Sequence, residues 1–204
     1  MKFYYLLLES IRLQDGQFDL IGLHEARIKR SLEMLSSNPE PSFQLENYLR
    51  SFPVPETGLF KCRMLYGSGF SEPEYIPYQK RNIQSLRLVE DKGIDYDFKY
   101  AKRHDLDWIF HQRGTCDDVL MMRNGRVTDT TYCNIAFRKG NEWFTPEHPL
   151  LAGVRRESLL QAGVLQTFPG KVETLHEFET FKLFNALINW DEADEIPVQN
   201  ILTT

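Results

Sequence analysis

The spacing of hydrophobic and polar positions changes several times along the chain, and each change marks an expected element. Residues 3–13 are rich in β-formers and end at Asp15-Gly16, a tight-turn pair that lets Gln17 to Ile21 return as a second strand. From there Leu23, Ala26, Arg27, Arg30, Ser31 and Leu35 fall at helical spacing, which predicts a helix from His24 to Leu35. Ser36-Ser37-Asn38-Pro39 and Pro41 break it. Phe43 to Phe52 reads as a short helix closed by Pro53 and Pro55, and Leu59 to Tyr66 as a strand ended by Gly67-Ser68-Gly69. Ser71 to Pro77, with two prolines and two glutamates, is the best linker.

Beyond it, Ile83 to Val89 is expected as a strand and Lys99 to His111 as a helix. Asp118 to Met122 and Arg126 to Thr128 flank Asn124-Gly125, a pair suited to a type I′ turn, and form the clearest hairpin. Ile135 to Phe137 and Trp143-Phe144 read as short strands, and Val154 to Ala162 as a helix stopped by Gly163. A strand at Lys171 to Leu175, a short helix at Glu177 to Phe181 and a strand at Leu183 to Ile188 complete the pattern. The expectation is an α+β protein in two lobes, residues 1–77 and a larger 78–204.

Composition narrows the function. With 42% apolar and 26% charged residues, the 204-residue chain resembles an ordinary globular protein. The net charge of −5 argues against nucleic acid or an anionic membrane as main partner; the densest basic group, Arg27 to Arg30, lies on an amphipathic helix. Glu9 and Arg12 interrupt the apolar start too early for a signal peptide, and no apolar stretch approaches membrane-spanning length, so a soluble, cytoplasmic protein is expected. Cys62, Cys116 and Cys133 form no disulfide framework and read as buried, reduced thiols. The five histidines lack metal-ligand spacing, and there is no glycine-rich phosphate loop or Gly-x-Ser-x-Gly elbow. Residue by residue, Lys99 is an ordinary solvated lysine and Asp129 a turn or capping residue.

The order of several segments says more. Residues 126–137 (Arg-Val-Thr-Asp-Thr-Thr-Tyr-Cys-Asn-Ile-Ala-Phe), then Trp143 to Pro146, then Leu150 to Arg156, resemble the central signature of the class IV aminotransferase family. Phe98 to Arg103 resembles its Schiff-base lysine followed four residues later by arginine. Glu9 to Arg12, Asp15-Gly16 and His24 to Arg27 are similar to its N-terminal strand, hairpin and helix. The resemblance is collinear over nearly the whole chain. It implies a two-lobed, fold type IV pyridoxal phosphate (PLP) enzyme, with its active site between the lobes and Lys99 in the larger one. The chain starts at what is usually the second strand of the family's small domain, so a shortened N-terminal lobe is expected.

The roles that the resemblance implies are chemically coherent. Lys99 forms the imine with the cofactor and shuttles a proton at the substrate carbon; Lys102 competes, but Lys99 leaves Arg103 where the family places its arginine. Asp129 keeps the pyridine nitrogen protonated, where most members have the longer glutamate. Arg27 binds the phosphate, together with the amides of Val154 and Arg155 after Gly153, at a helix start that favours an anion. Leu151 packs on the ring, Asn134 joins the cofactor set, and Asn185 and Ala186 form a second phosphate-side segment. Arg63 stands where branched-chain members bind the substrate carboxylate, whereas Phe184-Asn-Ala-Leu187 looks more like aminodeoxychorismate lyase. Transamination between an amino acid and a keto acid is the leading expectation. The alternatives are that lyase, releasing pyruvate and 4-aminobenzoate, and a PLP-binding protein without turnover. A homodimer is implied by the family.

Overall fold

The computed structural model describes residues 6–35 and 43–203, so the predicted helix break at residues 36–41 and the first residues of the opening strand lie outside it. The chain forms two units: residues 1–80 with 98–102, and residues 81–97 with 103–204.

The first unit is a four-stranded antiparallel sheet with two helices. Strand β1 (Leu7–Gln14) turns through Asp15-Gly16 into β2 (Gln17–Phe18). Both turn residues have positive φ, 48° and 77°, as a type I′ turn requires, and the Asp15 carboxylate accepts the Gly58 N–H at 2.8 Å. Helix α1 (Ile21–Met34) and the short α2 (Leu45–Arg50) follow, then β3 (Leu59–Tyr66) and β4 (Glu74–Pro77), in sheet order β2-β1-β3-β4. Alternation sends Leu7, Ile11 and Leu13 of β1 to the covered face, and Leu7 and Ile11 pack there with Cys62, Met64 and Tyr66 of β3. Ile28 and Leu32 of α1 and Leu45 and Leu49 of α2 close the core. A 14-residue helix is marginal alone; each buried Leu or Ile adds ~1.5–3 kcal/mol, so packing holds α1 in place.

The segment expected as a linker contains β4. An edge strand accommodates Pro73 and Pro77 at its ends, and Glu74 to Pro77 pairs with Phe60 to Arg63. The segment expected to open a helix at Lys99 does something else. The Leu8 N–H donates to the Lys99 carbonyl and the Ala101 N–H to the Leu6 carbonyl, both at 2.9 Å, so residues 98–102 extend along β1 in the first unit. The helix, α3 (His104–Phe110), begins only at His104, where Leu106 and Ile109 provide a buried stripe.

The second unit has two sheets. One, in order β13-β5-β6-β7, joins β5 (Leu86–Glu90), β6 (Asp118–Arg123), β7 (Arg126–Thr130) and β13 (Ile201–Leu202). Asn124 and Gly125 turn between β6 and β7 at φ 53° and 72°. The other, β10-β9-β8-β11-β12, joins β8 (Asn134–Lys139), β9 (Glu142–Pro146), β10 (Gln166–Phe168), β11 (Thr180–Phe184) and β12 (Glu195–Pro197), with helix α4 (Val154–Gln161) after β9. Phe137, Phe168, Phe178 and Phe181 pack edge to face or tilted in its core. Two expectations fail here. Residues 172–177 form a 3₁₀ turn rather than a strand, and Thr180 onwards is strand rather than helix, because Phe181 pairs opposite Phe137. The last predicted strand ends early, at Phe184, where the Asn185 carbonyl accepts the Ile188 N–H at 3.2 Å.

Candidate active site

The first unit buries an ionic cluster. Glu9 occupies an inward position of β1, where a lone carboxylate would be costly. Helix α1 supplies its partners one turn apart. The Arg27 guanidinium donates from Nε to Oε1 at 2.9 Å and from Nη2 to Oε2 at 2.6 Å, and His24 Nδ1 lies 2.6 Å from Oε2. Burial works against the Glu9 charge, but Arg27 and His24 outweigh it and hold the carboxyl at about 2. Burial lowers the His24 pKa despite Glu9, and the charges of Arg27 and Lys99 push the same way. Nδ1 of His24 faces the Glu9 carboxylate, the side on which a ring proton would be donated to it. Lys99 is half-buried and within electrostatic reach of this cluster, whereas Lys102 is exposed. Arg63 alternates to the face opposite Cys62 and Met64 and lies 3.4 Å from Glu74, both partly exposed.

In the second unit, β7, β8 and the approach to α4 meet around Asp129. Its Oδ1 accepts from Asn134 Nδ2 at 2.8 Å and its Oδ2 from the Leu151 N–H at 2.9 Å; Asn134 also donates to the Leu151 carbonyl at 3.0 Å. The turn between the two strands is closed by the Thr130 N–H on the Cys133 carbonyl and the Cys133 N–H on Thr130 Oγ1. Gly153 is required for space rather than conformation: at φ −71° its backbone is ordinary, but a Cβ would lie 2.1 Å from Asn134 Oδ1. Val154 and Arg155 then open α4 with no side-chain cap on its first amides. The Arg155 side chain donates to Asn189 at 2.7 Å. Asn185 reaches the same turn, with Nδ2 3.3 Å from the Tyr132 carbonyl and 3.4 Å from Cys133 Sγ, and half-buried Ala186 follows it.

Burial pushes the Asp129 carboxyl up to about 6, although Leu151, Asn134 and Arg156 all favour the anion. Its two short-range donors are neutral, and Arg156 is engaged with the Pro146 carbonyl at 2.8 Å. Among the described residues no cation lies within ion-pair distance of this buried carboxylate, Arg156 acting on it only from further away, and the protonated nitrogen of a pyridine ring would be such a cation. The uncapped amides at the start of α4 suit a phosphate. The donor set therefore fits PLP.

Lys99, Arg27 and Arg63 thus belong to the first unit, and Asp129, Asn134, Leu151, Gly153, Val154, Arg155, Asn185 and Ala186 to the second. Sequence reasoning passed over Glu9, His24 and Arg156 as site residues. A glutamate in phase with Leu7, Ile11 and Leu13 was the available signal for the first. The three cysteines are free and buried, and burial pushes Cys62 and Cys133 up to about 12. Among the described residues no cluster of His, Cys, Asp and Glu could hold a metal, and no helix is long and apolar enough to cross a membrane.

Known proteins share this fold or are similar in sequence. A Haemophilus somnus protein, solved as a candidate 4-amino-4-deoxychorismate lyase, superposes with a TM-score of 0.82 at 29% identity, over 92% of this chain and 98% of that one. An uncharacterised Haemophilus influenzae protein is 34% identical over 185 residues, covering 90% of this chain and 98% of its own. A candidate aminodeoxychorismate lyase of Schizosaccharomyces pombe is 28% identical, over 74% of this chain and 71% of its own. The fold is that of the type IV PLP enzymes. Residues 6–196 match the class IV aminotransferases: the chain belongs to that family and is a PLP-dependent enzyme.

Proposed function

We propose that this enzyme transfers an amino group between an amino acid and a keto acid, with PLP held on Lys99. The observation that carries the assignment is the buried Asp129 carboxylate, fixed by two neutral donors and, among the described residues, without a cation at ion-pair distance. When bound, the cofactor supplies an electron sink for negative charge at the substrate α-carbon. In this reading Lys99 anchors the cofactor and moves the proton at that carbon. Asp129 holds the proton on the ring nitrogen, and Asn134 and the Leu151 amide fix the carboxylate that does so. Arg27, oriented by Glu9, and the Val154 and Arg155 amides take the phosphate, with Gly153 leaving room for Asn134 and with Asn185 and Ala186 on the phosphate side. Leu151 packs on the ring, and Arg63 is the candidate for the substrate carboxylate. We place the enzyme in the cytoplasm as a homodimer, on the family resemblance.

A second reading, aminodeoxychorismate lyase, is favoured by Phe184-Asn185-Ala186-Leu187 and by the likeness to the H. somnus and S. pombe proteins. The same residues would act, with pyruvate leaving. Purified protein should show the visible absorbance of bound cofactor, and Lys99→Ala should abolish it; a band unchanged in that variant overturns the assignment. Loss of the band on adding L-glutamate, D-alanine or a branched-chain amino acid identifies transamination. Pyruvate release from aminodeoxychorismate identifies the lyase, and silence in both assays identifies a binding protein without turnover.

A further inference from the structure

We propose that Tyr132 is a positioning residue for the assigned reaction: its ring, gripped on both faces by Arg81 and Arg103, pins the root of the Lys99 segment to the turn between Asp129 and Asn134. The proposal rests on the assignment of Lys99 as the lysine that holds the cofactor. The Arg81 guanidinium carbon lies 3.9 Å from the centre of the Tyr132 ring and that of Arg103 lies 4.3 Å away. Two guanidinium groups so close to one ring centre must take opposite faces, because on one face they would overlap. Phe110 stands edge-on to the same ring, 6.5 Å between centres. The backbone that carries the ring is fixed as well. The Tyr132 carbonyl accepts from Asn185 Nδ2 at 3.3 Å. Its neighbour Thr131 is held twice: the hydroxyl donates to the buried Asp118 Oδ1 at 2.6 Å, and the carbonyl accepts from Arg103 Nη2 at 2.6 Å.

The two arginines mark where the chain enters the second unit. It arrives first at Arg81 and, after residues 98–102 have run along β1, arrives again at Arg103. Both entry points are therefore held on one side chain, whose residue lies between Asp129 and Asn134, the pair joined at 2.8 Å. The assigned reaction requires Lys99, of the first unit, and Asp129, of the second, to act on one cofactor. Only Tyr100, Ala101 and Lys102 separate Lys99 from Arg103, a span of at most about 14 Å when fully extended. An anchored Arg103 limits how far Lys99 drifts, and a reacting group already held near its bonding position loses less freedom when it bonds. Stacking suits this task, because a flat guanidinium is attracted to the face of an aromatic ring and gains nothing from an aliphatic side chain of similar bulk.

Titration of the cofactor-free protein with PLP and with deoxypyridoxine phosphate tests this. PLP can bond to Lys99 Nζ through its aldehyde, one water leaving, whereas deoxypyridoxine phosphate carries a methyl group there and binds without that bond. The ratio of the two affinities reads the placement of Lys99, and a general loss of stability would leave it unmoved. Tyr132→Leu should shrink the ratio about tenfold, the size of two lost stacks, with the affinity for deoxypyridoxine phosphate unchanged. Tyr132→Phe keeps both faces and should restore the wild-type ratio. A wild-type ratio in Tyr132→Leu, or a ratio in Tyr132→Phe as small as in Tyr132→Leu, overturns the pin. Should Tyr132→Leu fail to fold, Arg103→Met reads the same ratio, which should shrink severalfold; a wild-type value there overturns the proposal equally. Failure of the Lys99 assignment shows separately. Lys99→Ala should bring the ratio to unity, and a ratio that it leaves unchanged refutes the assignment rather than the pin.

Discussion

Substituting Gly153 by alanine isolates the contact that fixes the Asp129 carboxylate. The added Cβ would meet Asn134 Oδ1 at 2.1 Å, so the amide must turn away. Asn134 cannot turn freely, because its Nδ2 is committed to Asp129 and to the Leu151 carbonyl. A hydrogen bond to a charged acceptor is worth ~1.5–3 kcal/mol and a neutral one ~0.5–1.5, so losing both costs about 2–4 kcal/mol. That corresponds to a fall in melting temperature on the order of 10 °C. Circular dichroism melts of the apoprotein would measure it, and cofactor titration should show weaker binding because the carboxylate is no longer oriented. Gly22→Ala is the control: Gly22 lies in α1 with open space around it, and alanine should stabilise by up to about 1 kcal/mol. Asn134→Ala should cost as much as Gly153→Ala, and combining them should add little, since one pair of bonds is lost in each case. A Gly153→Ala protein that melts within about a degree of wild type, or a fully additive double mutant, would refute the reasoning.

Two further substitutions should change the pH dependence of stability in opposite senses. Asp129, at about 6 when folded against an ordinary 3.8, binds its proton more tightly in the folded apoprotein, so stability falls as pH rises from about 4 to about 6 and is then level. Asn in its place should remove that fall, at most ~3 kcal/mol, in urea titrations across this range. Glu9, at about 2 against 4.5, contributes stability that is complete above about 4.5 and lost as pH falls towards 2. Glu9→Gln should flatten that acid limb and cost ~3–5 kcal/mol at neutral pH, by leaving Arg27 buried without its anion; an unchanged acid limb would count against Glu9 as its source.

The sequence was most readable where local chemistry alone decides. Asp15-Gly16 and Asn124-Gly125 demand positive φ and turn where expected, and Leu59 to Tyr66 alternates in and out as one strand. It was least readable where a distant partner decides. Residues 98–102 are drawn out along β1, and Ser71 to Pro77 holds an edge strand that only pairing with β3 reveals. Phe181 is strand because of Phe137. The site follows the same rule. Asp129, Asn134, Leu151 and Gly153 come together through a short turn and one approach to a helix, a grouping that motif order already suggested. The buried Glu9–His24–Arg27 cluster joins residues from two elements and was visible only as a charge out of place on an apolar face.

The return of residues 98–102 to the first unit affects how this protein can be divided. A single cut after residue 80 would yield two contiguous fragments, yet the first would lack the lysine that lies along its own opening strand. Neither unit can therefore be exchanged with a relative's by one crossover. A chimaera needs three junctions, near residues 80, 97 and 102, for each unit to keep its own lysine segment or the loops around it. The fold thereby ties the inheritance of Lys99 to the strand Leu7–Gln14, ninety-odd positions earlier in the gene, rather than to its neighbours in sequence.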